Sequence, residues 1–112
     1  MKKIEAIIRP SKLEGLHAEL QEAGFAGITV TEVRGYGRQK GHKEIYRGAE
    51  YKLEFVPKIK IELVCPNETV EKAIKIIIEK SKTGKIGDGK IFIVNIEDAI
   101  RIRTEESGES AL

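Results

Sequence analysis

The sequence predicts an α+β fold in which two helices cover one face of an antiparallel sheet. Two observations support this prediction. Segments in which apolar residues alternate with polar ones are separated by segments in which apolar residues recur every three or four positions. These segments follow the order strand, helix, strand, and the same order returns after a long loop. The chain therefore reads as two β-α-β units.

The first unit opens the chain. Residues 2–9 alternate, which predicts a strand that Pro10 ends. Residues 11–14 match a capping box, and the apolar spacing that follows predicts a helix over residues 12–23. Residues 27–34 are β-branched and alternating, which predicts the second strand.

The second unit follows a segment, residues 35–57, that has no consistent period. Residues 58–65 alternate and predict the third strand. Asn67 is the expected N-cap of the second helix, which has an apolar stripe from Val70 to Ile78. Residues 90–96 predict the fourth strand. We also expect a short fifth strand over residues 100–103 and a frayed tail after it.

This order is that of a ferredoxin-like double β-α-β sandwich, and the 112 residues suffice for one domain, 1–112. Both helices should pack on one face of the sheet. The opposite face is too apolar for solvent and too polar for a core, so we expect a homo-oligomer. The residues predicted on that face are Ile7, Thr29, Val33, Glu62 and Val64.

Composition limits the function classes. The net charge of +2 lacks the basic excess typical of nucleic-acid binders. The single cysteine, Cys65, excludes a disulfide within the chain. The start of the chain is charged too early for a signal peptide, and no apolar run reaches the length of a membrane span. We therefore expect a soluble, cytoplasmic protein that is not membrane-embedded.

Residues for nucleophilic or metal chemistry do not form a recognisable pattern. His17 lies in the first predicted helix, and His42 lies in the long loop without a cysteine or second histidine nearby. A metal site built from protein ligands alone is not expected. No serine has a partnered His and Asp, and Cys65 has no activating base.

Two glycine-rich segments that also carry basic residues, 35–41 and 83–90, are the strongest functional signals. Glycines let main-chain N–H groups approach phosphate oxygens, and Lys or Arg adds positive charge. Gly84 to Lys90 has the spacing of a P-loop, but Ile91 stands where Ser or Thr is needed, so a P-loop NTPase is excluded. Ordinary tight turns are the alternative. We expect both segments at the ends of adjacent strands, which favours an anion site.

Arg101 and Arg103 form a third element. If they alternate on a short strand, both point to one side. They could line a solvated edge that blocks aggregation, or they could neutralise a phosphate group held by a neighbouring subunit.

Several motifs resemble those of the PII nitrogen-regulatory family. Residues 46–51, with the sequence YRGAEY, resemble the first family signature. Residues 83–96 resemble the second, and the similarity extends to about Thr104. Within the family's vocabulary, the T-loop would span about 36–56, the B-loop about 82–90 and the C-terminal loop about 101–112.

The resemblance implies a homotrimer that binds ATP or ADP in the clefts between subunits, together with Mg²⁺ and 2-oxoglutarate. The residues that match the nucleotide site are Ile7, Thr29, Gly35, Gly37, Arg38, Glu62, Val64, Gly87, Asp88, Gly89, Lys90, Arg101 and Arg103. Of these, Arg101 and Arg103 would come from the next subunit. The residues that match the 2-oxoglutarate site are Gln39, Lys40, Gly41 and Lys58, and Gln39 would also contribute to Mg²⁺ coordination.

The resemblance also implies that the T-loop carries the output. Partners in the family include ammonium transporters and nitrogen-metabolism regulatory enzymes, and Arg47 at the loop tip would contact a transporter. Tyr51 matches a tyrosine that some relatives carry as a nucleotidylated site, so a nucleotidylyltransferase would be a further partner; an unmodified contact residue is the alternative.

Two rival classes share the predicted topology. An RNA-recognition module would place aromatic residues on strands one and three, and neither strand has any, so we expect no nucleic-acid partner. A small phosphate-processing enzyme would need a base beside the glycine-rich segments. Asp88 is the only candidate there, and a turn residue between glycines is its simpler role. We therefore expect a protein that is not an enzyme.

Overall fold

The computed structural model of the chain describes residues 1–36 and 55–112. Its strands are β1 (Lys2–Ile8), β2 (Ile28–Gly35), β3 (Val56–Cys65) and β4 (Lys90–Asn95), and its α-helices are α1 (Leu13–Glu22) and α2 (Val70–Ser81). Three short 3₁₀ helices cover Pro10–Lys12, Asn67–Thr69 and Gly108–Ala111. The predicted α+β fold of ferredoxin-like type is confirmed.

The four strands form one antiparallel sheet in the order β2-β3-β1-β4. The register places Gly35 opposite Val56 and Ile7 opposite Lys90. The ends of β1 and β2 and the starts of β3 and β4 therefore lie at the same end of the sheet, which we call the loop end.

The core lies between one face of the sheet and both helices. Alternate residues of β1 and β3, such as Ile4 and Ile61, are buried on this face because side chains alternate along a strand. Leu16 and Leu20 from α1 and Ile77 from α2 belong to the same buried cluster. Full burial of one such side chain contributes about 1.5–3 kcal/mol.

Both helices begin differently from the prediction. The capping box at residues 11–14 and the N-cap at Asn67 are wrong, because the predicted capping residues, Ser11 and Asn67, lie in 3₁₀ helices and neither makes a side-chain cap hydrogen bond. Main-chain carbonyls do this work instead: Lys12 N donates to Arg9 O at 3.0 Å, and Thr69 N donates to Pro66 O at 3.1 Å. Each helix is therefore entered through a tight turn that a proline introduces.

The end of α1 follows the prediction. Gly24 has a φ of +98°, and Phe25 N donates to Leu20 O at 2.9 Å. This is the bond pattern of a helix that ends at a glycine, and it directs Phe25 into the core, where only 8% of it is exposed.

The third strand starts earlier than predicted. β3 begins at Val56, so Pro57, expected in the loop, pairs with Arg34 of β2. The β1 pairing starts only at Ile59, so the missing N–H of Pro57 interrupts no bond to β1.

Among the described residues the fifth strand does not form, and the tail is not frayed. Ile100 makes a single bridge to Ser107, and residues 102–104 form a turn. Arg101 N donates to Glu106 O at 2.9 Å, and Gly108 N donates to Ala99 O at 3.0 Å. Within the described residues the segment pairs only with itself, and we call residues 98–112 the C-terminal hairpin.

No helix among the described residues is long and apolar enough to cross a membrane.

Candidate functional site

The glycine-rich loop, residues 82–89, is organised by the carboxylate of Asp88. The hydroxyl of Thr83 donates to Asp88 Oδ1 at 2.5 Å, and the main-chain N–H groups of Thr83 and Gly84 each donate to Oδ2 at 2.8 Å. Arg9 Nε donates to Oδ1 at 3.1 Å. These donors, led by the Thr83 hydroxyl, hold the pKa of Asp88 far below its ordinary value. The carboxylate is therefore ionised and already bound by its own loop.

Gly89 is required by the packing of main chain against main chain. It has a φ of +100°, and a Cβ at this position would lie 1.7 Å from the carbonyl oxygen of Ile7. Only glycine permits both this conformation and this approach. The loop is thereby pressed against the end of β1, directly before Lys90 pairs with Ile7.

Two cations reach the loop from the neighbouring strands. Lys58, near the start of β3, donates through Nζ to Gly87 O at 2.5 Å. Arg9, directly after β1, donates through Nη2 to Ile86 O at 3.0 Å. Burial lowers the pKa of Lys58, and the nearby Arg9 charge lowers it further, against an opposing effect of Asp88.

The first glycine-rich segment meets the same end of the sheet. Gly35 ends β2, and a Cβ on it would lie 3.5 Å from Lys58 Cγ. Beyond it, the rings of Tyr36 and Phe55 lie 5.6 Å apart between centroids, so the two ends of the predicted T-loop touch. The expectation that the two glycine-rich segments lie at the ends of adjacent strands is wrong, because the first follows β2, the second precedes β4, and these strands form opposite edges of the sheet.

Seven predicted site residues lie outside the described residues: Gly37, Arg38, Gln39, Lys40, Gly41, Arg47 and Tyr51.

A second group of predicted site residues lies away from the loop end. Thr29 pairs with Glu62, and Val64 lies two residues further along β3 on the same face. Six residue steps separate Lys58 from Val64, which is about 20 Å along a strand. A cavity of about 610 Å³ adjoins this group, and its lining includes Thr29, Glu62, Val64 and Leu112.

Glu62 is part of a charged cluster on this face. Lys3 Nζ donates to Glu62 Oε2 at 3.1 Å, and Glu5 lies 3.8 Å from both Lys3 and Lys60. The hydrogen bond from Lys3 is the main cause that lowers the pKa of Glu62. A carboxylate acceptor is thus fixed on the sheet face.

The two arginines of the C-terminal hairpin do not share one side of a strand, so that expectation is wrong. Arg101 Nη1 donates to Glu106 Oε1 at 3.1 Å, and Arg101 Nη2 donates to Leu112 O at 3.0 Å. Arg103 lies exposed in the turn. Ile102, between them, is 95% exposed, which is unusual for a large apolar side chain.

One chain therefore brings together part of the predicted site and separates the rest. Residues at the loop end are Ile7, Gly35, Lys58, Gly87, Asp88, Gly89 and Lys90. Residues away from it are Thr29, Glu62 and Val64, and the structure places Arg101 and Arg103 in the C-terminal hairpin. Among the described residues, no cluster of three or more His, Cys, Asp or Glu side chains could hold a metal ion.

Arg9 and Thr83 were not predicted as site residues. The sequence places Arg9 at the end of a predicted strand and Thr83 in a predicted loop. The available signals were a basic residue directly before Pro10 and a hydroxyl five residues before an aspartate.

Comparison with known proteins gives a consistent result. The family model described as Nitrogen regulatory protein P-II matches residues 1–106. Proteins named Nitrogen regulatory protein P-II from Bradyrhizobium diazoefficiens, Rhodospirillum rubrum and Haemophilus influenzae are 62%, 60% and 58% identical to this chain, each over 100% of both chains. The loop geometry, the fold and this similarity along the whole chain agree: the chain belongs to the nitrogen regulatory protein P-II family.

Proposed function

We propose that the chain senses ATP or ADP together with 2-oxoglutarate and regulates nitrogen-assimilation proteins through its T-loop. Membership in a family of nitrogen regulators supports the regulatory role. The sensing role depends on one observation above all. A glycine-rich loop is held in shape at the end of the sheet, with Lys58 and Lys90 beside it.

The loop has the chemistry of a polyphosphate site. Glycines keep side chains away from the main chain, so its N–H groups can approach an anion. Lys90 supplies charge at the start of β4, and Arg9 and Lys58 add more at the ends of β1 and β3. The carboxylate of Asp88 offsets only part of this charge.

The same geometry supports a regulator over an enzyme. A general base must accept a proton from substrate, with a pKa near the working pH. Asp88, the candidate base predicted beside the loop, already accepts bonds from Thr83, Gly84 and Arg9, and its pKa is lowered. Asp88 is therefore a weak base, and its role is to hold the shape of the loop.

We further propose that each site is shared between copies in a homotrimer. The residues around Lys58, which would bind phosphate, and the residues around Glu62 form two groups at different places on one face of the sheet. The family resemblance implies that a nucleotide contacts one group from each of two copies. The 95% exposure of Ile102 and the 48% exposure of Phe92 leave apolar surface for such an interface.

For 2-oxoglutarate, the described ligand is Lys58. Its ammonium group already lies against Gly87 O, so a small acid bound to it would sit beside the polyphosphate. Gln39, Lys40 and Gly41 would complete this site, and Gln39 would add to the Mg²⁺ ligands. The ion would be held mainly by phosphate oxygens and the acid.

The proposed output follows from ligand-dependent positions of the T-loop. ATP and ADP differ by one phosphate, so they would stabilise different loop arrangements by a few kcal/mol. In the cytoplasm, the T-loop would bind ammonium transporters and nitrogen-metabolism enzymes through Arg47. Tyr51 is the proposed modification site for a nucleotidylyltransferase.

Calorimetry with ATP, ADP and 2-oxoglutarate, alone and combined, tests the proposal. We expect 2-oxoglutarate to bind measurably only with Mg²⁺ and ATP present, and ATP to bind more weakly to Lys90→Ala and Arg103→Ala. Lys75→Ala, an exposed position on α2 away from the loop, is the control for charge. A monomeric chain that binds no adenine nucleotide, or 2-oxoglutarate binding equally well without nucleotide, would refute it.

A further inference from the structure

Arg9 and Lys58 each hold a main-chain carbonyl of the glycine-rich loop, and the two carbonyls belong to consecutive residues. Arg9 binds Ile86 O and Lys58 binds Gly87 O. The two cations lie close enough that the charge of Arg9 lowers the pKa of Lys58. Both carbonyls are therefore drawn toward one positively charged region.

The orientation of these carbonyls fixes the orientation of the next two N–H groups. In a trans peptide the N–H points opposite to the C=O of the same unit, and the described residues contain no cis peptide. The N–H groups of Gly87 and Asp88 therefore point away from Arg9 and Lys58. Neither donates a hydrogen bond to another group among the described residues. Successive outward N–H groups form an anion-binding concavity.

We propose that Arg9 is a positioning residue for polyphosphate: it holds Ile86 O and Asp88 so that the N–H groups of Gly87 and Asp88 face the ligand. This inference rests on the proposed nucleotide site and gives a second role, beyond its charge, to Arg9. The guanidinium of Arg9 packs closely against the main chain of Gly87: a Cβ on Gly87 would lie 3.2 Å from Arg9 Nη2.

Two separate bonds make the arginine fork necessary. Nε serves Asp88 and Nη2 serves Ile86 O, at 3.1 Å and 3.0 Å. A lysine at this position keeps the charge but cannot reproduce a planar pair of donors at fixed separation. Positioning through the fork and direct attraction by charge therefore predict different behaviour for Arg9→Lys.

The experiment compares Arg9→Lys and Arg9→Gln with the wild type. We expect both variants to bind ATP at least tenfold more weakly than the wild type does. Because AMP lacks the outer phosphates, its affinity should change less than twofold. The amide resonances of Gly87 and Asp88 should shift in both variants before any nucleotide is added. The control is Arg34→Gln, at an exposed position on β2, which removes one positive charge as Arg9→Gln does. It should leave the amide resonances and the ATP affinity unchanged.

A double variant tests whether Arg9 acts through Asp88. If it does, Arg9→Gln combined with Asp88→Asn should weaken ATP binding less than the sum of the two single effects. Wild-type ATP affinity and unshifted loop amides in Arg9→Gln would overturn the inference, as would near-normal binding by Arg9→Lys with a loss in Arg9→Gln. Failure of the wild type to bind ATP would instead refute the proposed function, and the nucleotide-free resonances would still decide the positioning role.

Discussion

The hydroxyl of Thr83 donates to the carboxylate of Asp88 across 2.5 Å and closes the glycine-rich loop on itself. The same carboxylate binds Arg9, which is 79 residues away in the sequence. One side chain thus joins a local turn to the end of β1. The shape of the proposed phosphate loop therefore depends on the charge state of Asp88.

The first prediction concerns acid stability. Because folding lowers the pKa of Asp88, the ionised form contributes stability above its unfolded pKa of about 3.9, and that contribution is lost as pH falls below this value toward the folded pKa. Asp88→Asn removes it at every pH. Thermal unfolding should show a gap between wild type and variant that is constant from about pH 5 to 7 and narrows below about pH 4.

Glu32→Gln, a neutralised and exposed carboxylate on β2, is the control and should show no such pattern. A gap that widens as the pH falls would contradict the assigned role of Asp88.

The second prediction uses two glycines of the same loop. Gly84 and Gly89 both have positive φ, but a Cβ on Gly84 meets nothing within 4 Å, whereas one on Gly89 meets Ile7 O. Gly84→Ala should cost about 1–2 kcal/mol for conformation alone. Gly89→Ala should cost clearly more, since β1 or the loop must move. Chemical denaturation measures both, and equal losses would contradict the packing described for Gly89.

Periodicity predicted most of the fold because burial on one face imposes it. The alternation in residues 58–65 reflects Ile61 and its neighbours facing the core, and the same rule assigned Glu62 to the opposite face. The predicted helix starts were wrong because local motifs compete. Ser11 could cap a helix, but Pro10 begins a 3₁₀ turn in which Arg9 O already accepts the hydrogen bond of Lys12 N.

The missed parts of the site depend on contacts between distant segments. Arg9 meets the loop only because β1 and β4 pair, which no local pattern reveals. Residues 100–103 alternate like a strand, but a strand needs a partner, and the described residues give Ile100 only Ser107. The family resemblance predicts that Lys58 binds 2-oxoglutarate, but its hydrogen bond to Gly87 O is seen only in the structure.

The third prediction concerns a buried hydroxyl. Ser81 ends α2 with 5% exposure, and its Oγ has no hydrogen-bond partner among the described residues. Ser81→Ala removes an unsatisfied polar group and adds a better helix former, so it should stabilise the protein by about 1 kcal/mol. Denaturant unfolding tests this, with Ser11→Ala, at an exposed position, as control. Destabilisation would indicate that the hydroxyl is satisfied in solution, for example by a bound water.

The last prediction concerns Arg101, which the C-terminal hairpin holds through Glu106 and Leu112 O. If Arg101 binds phosphate as proposed, nucleotide must compete with this internal ion pair. The pair is partly exposed, so its net value is about 0.5–1 kcal/mol. Glu106→Gln should therefore tighten ATP binding about two- to fivefold.

Calorimetry at fixed ionic strength measures this change, and Glu109→Gln in the same hairpin is the control, because it alters the net charge equally without touching Arg101. Tightening in Glu106→Gln but not in Glu109→Gln would show that the hairpin restrains the arginine. Equal tightening of ATP binding in both variants would mean that the change in net charge explains the effect. Weaker ATP binding in Glu106→Gln would mean that Glu106 holds Arg101 in its binding position. The restraint and the support of Arg101 thus differ in sign, which a single titration series distinguishes.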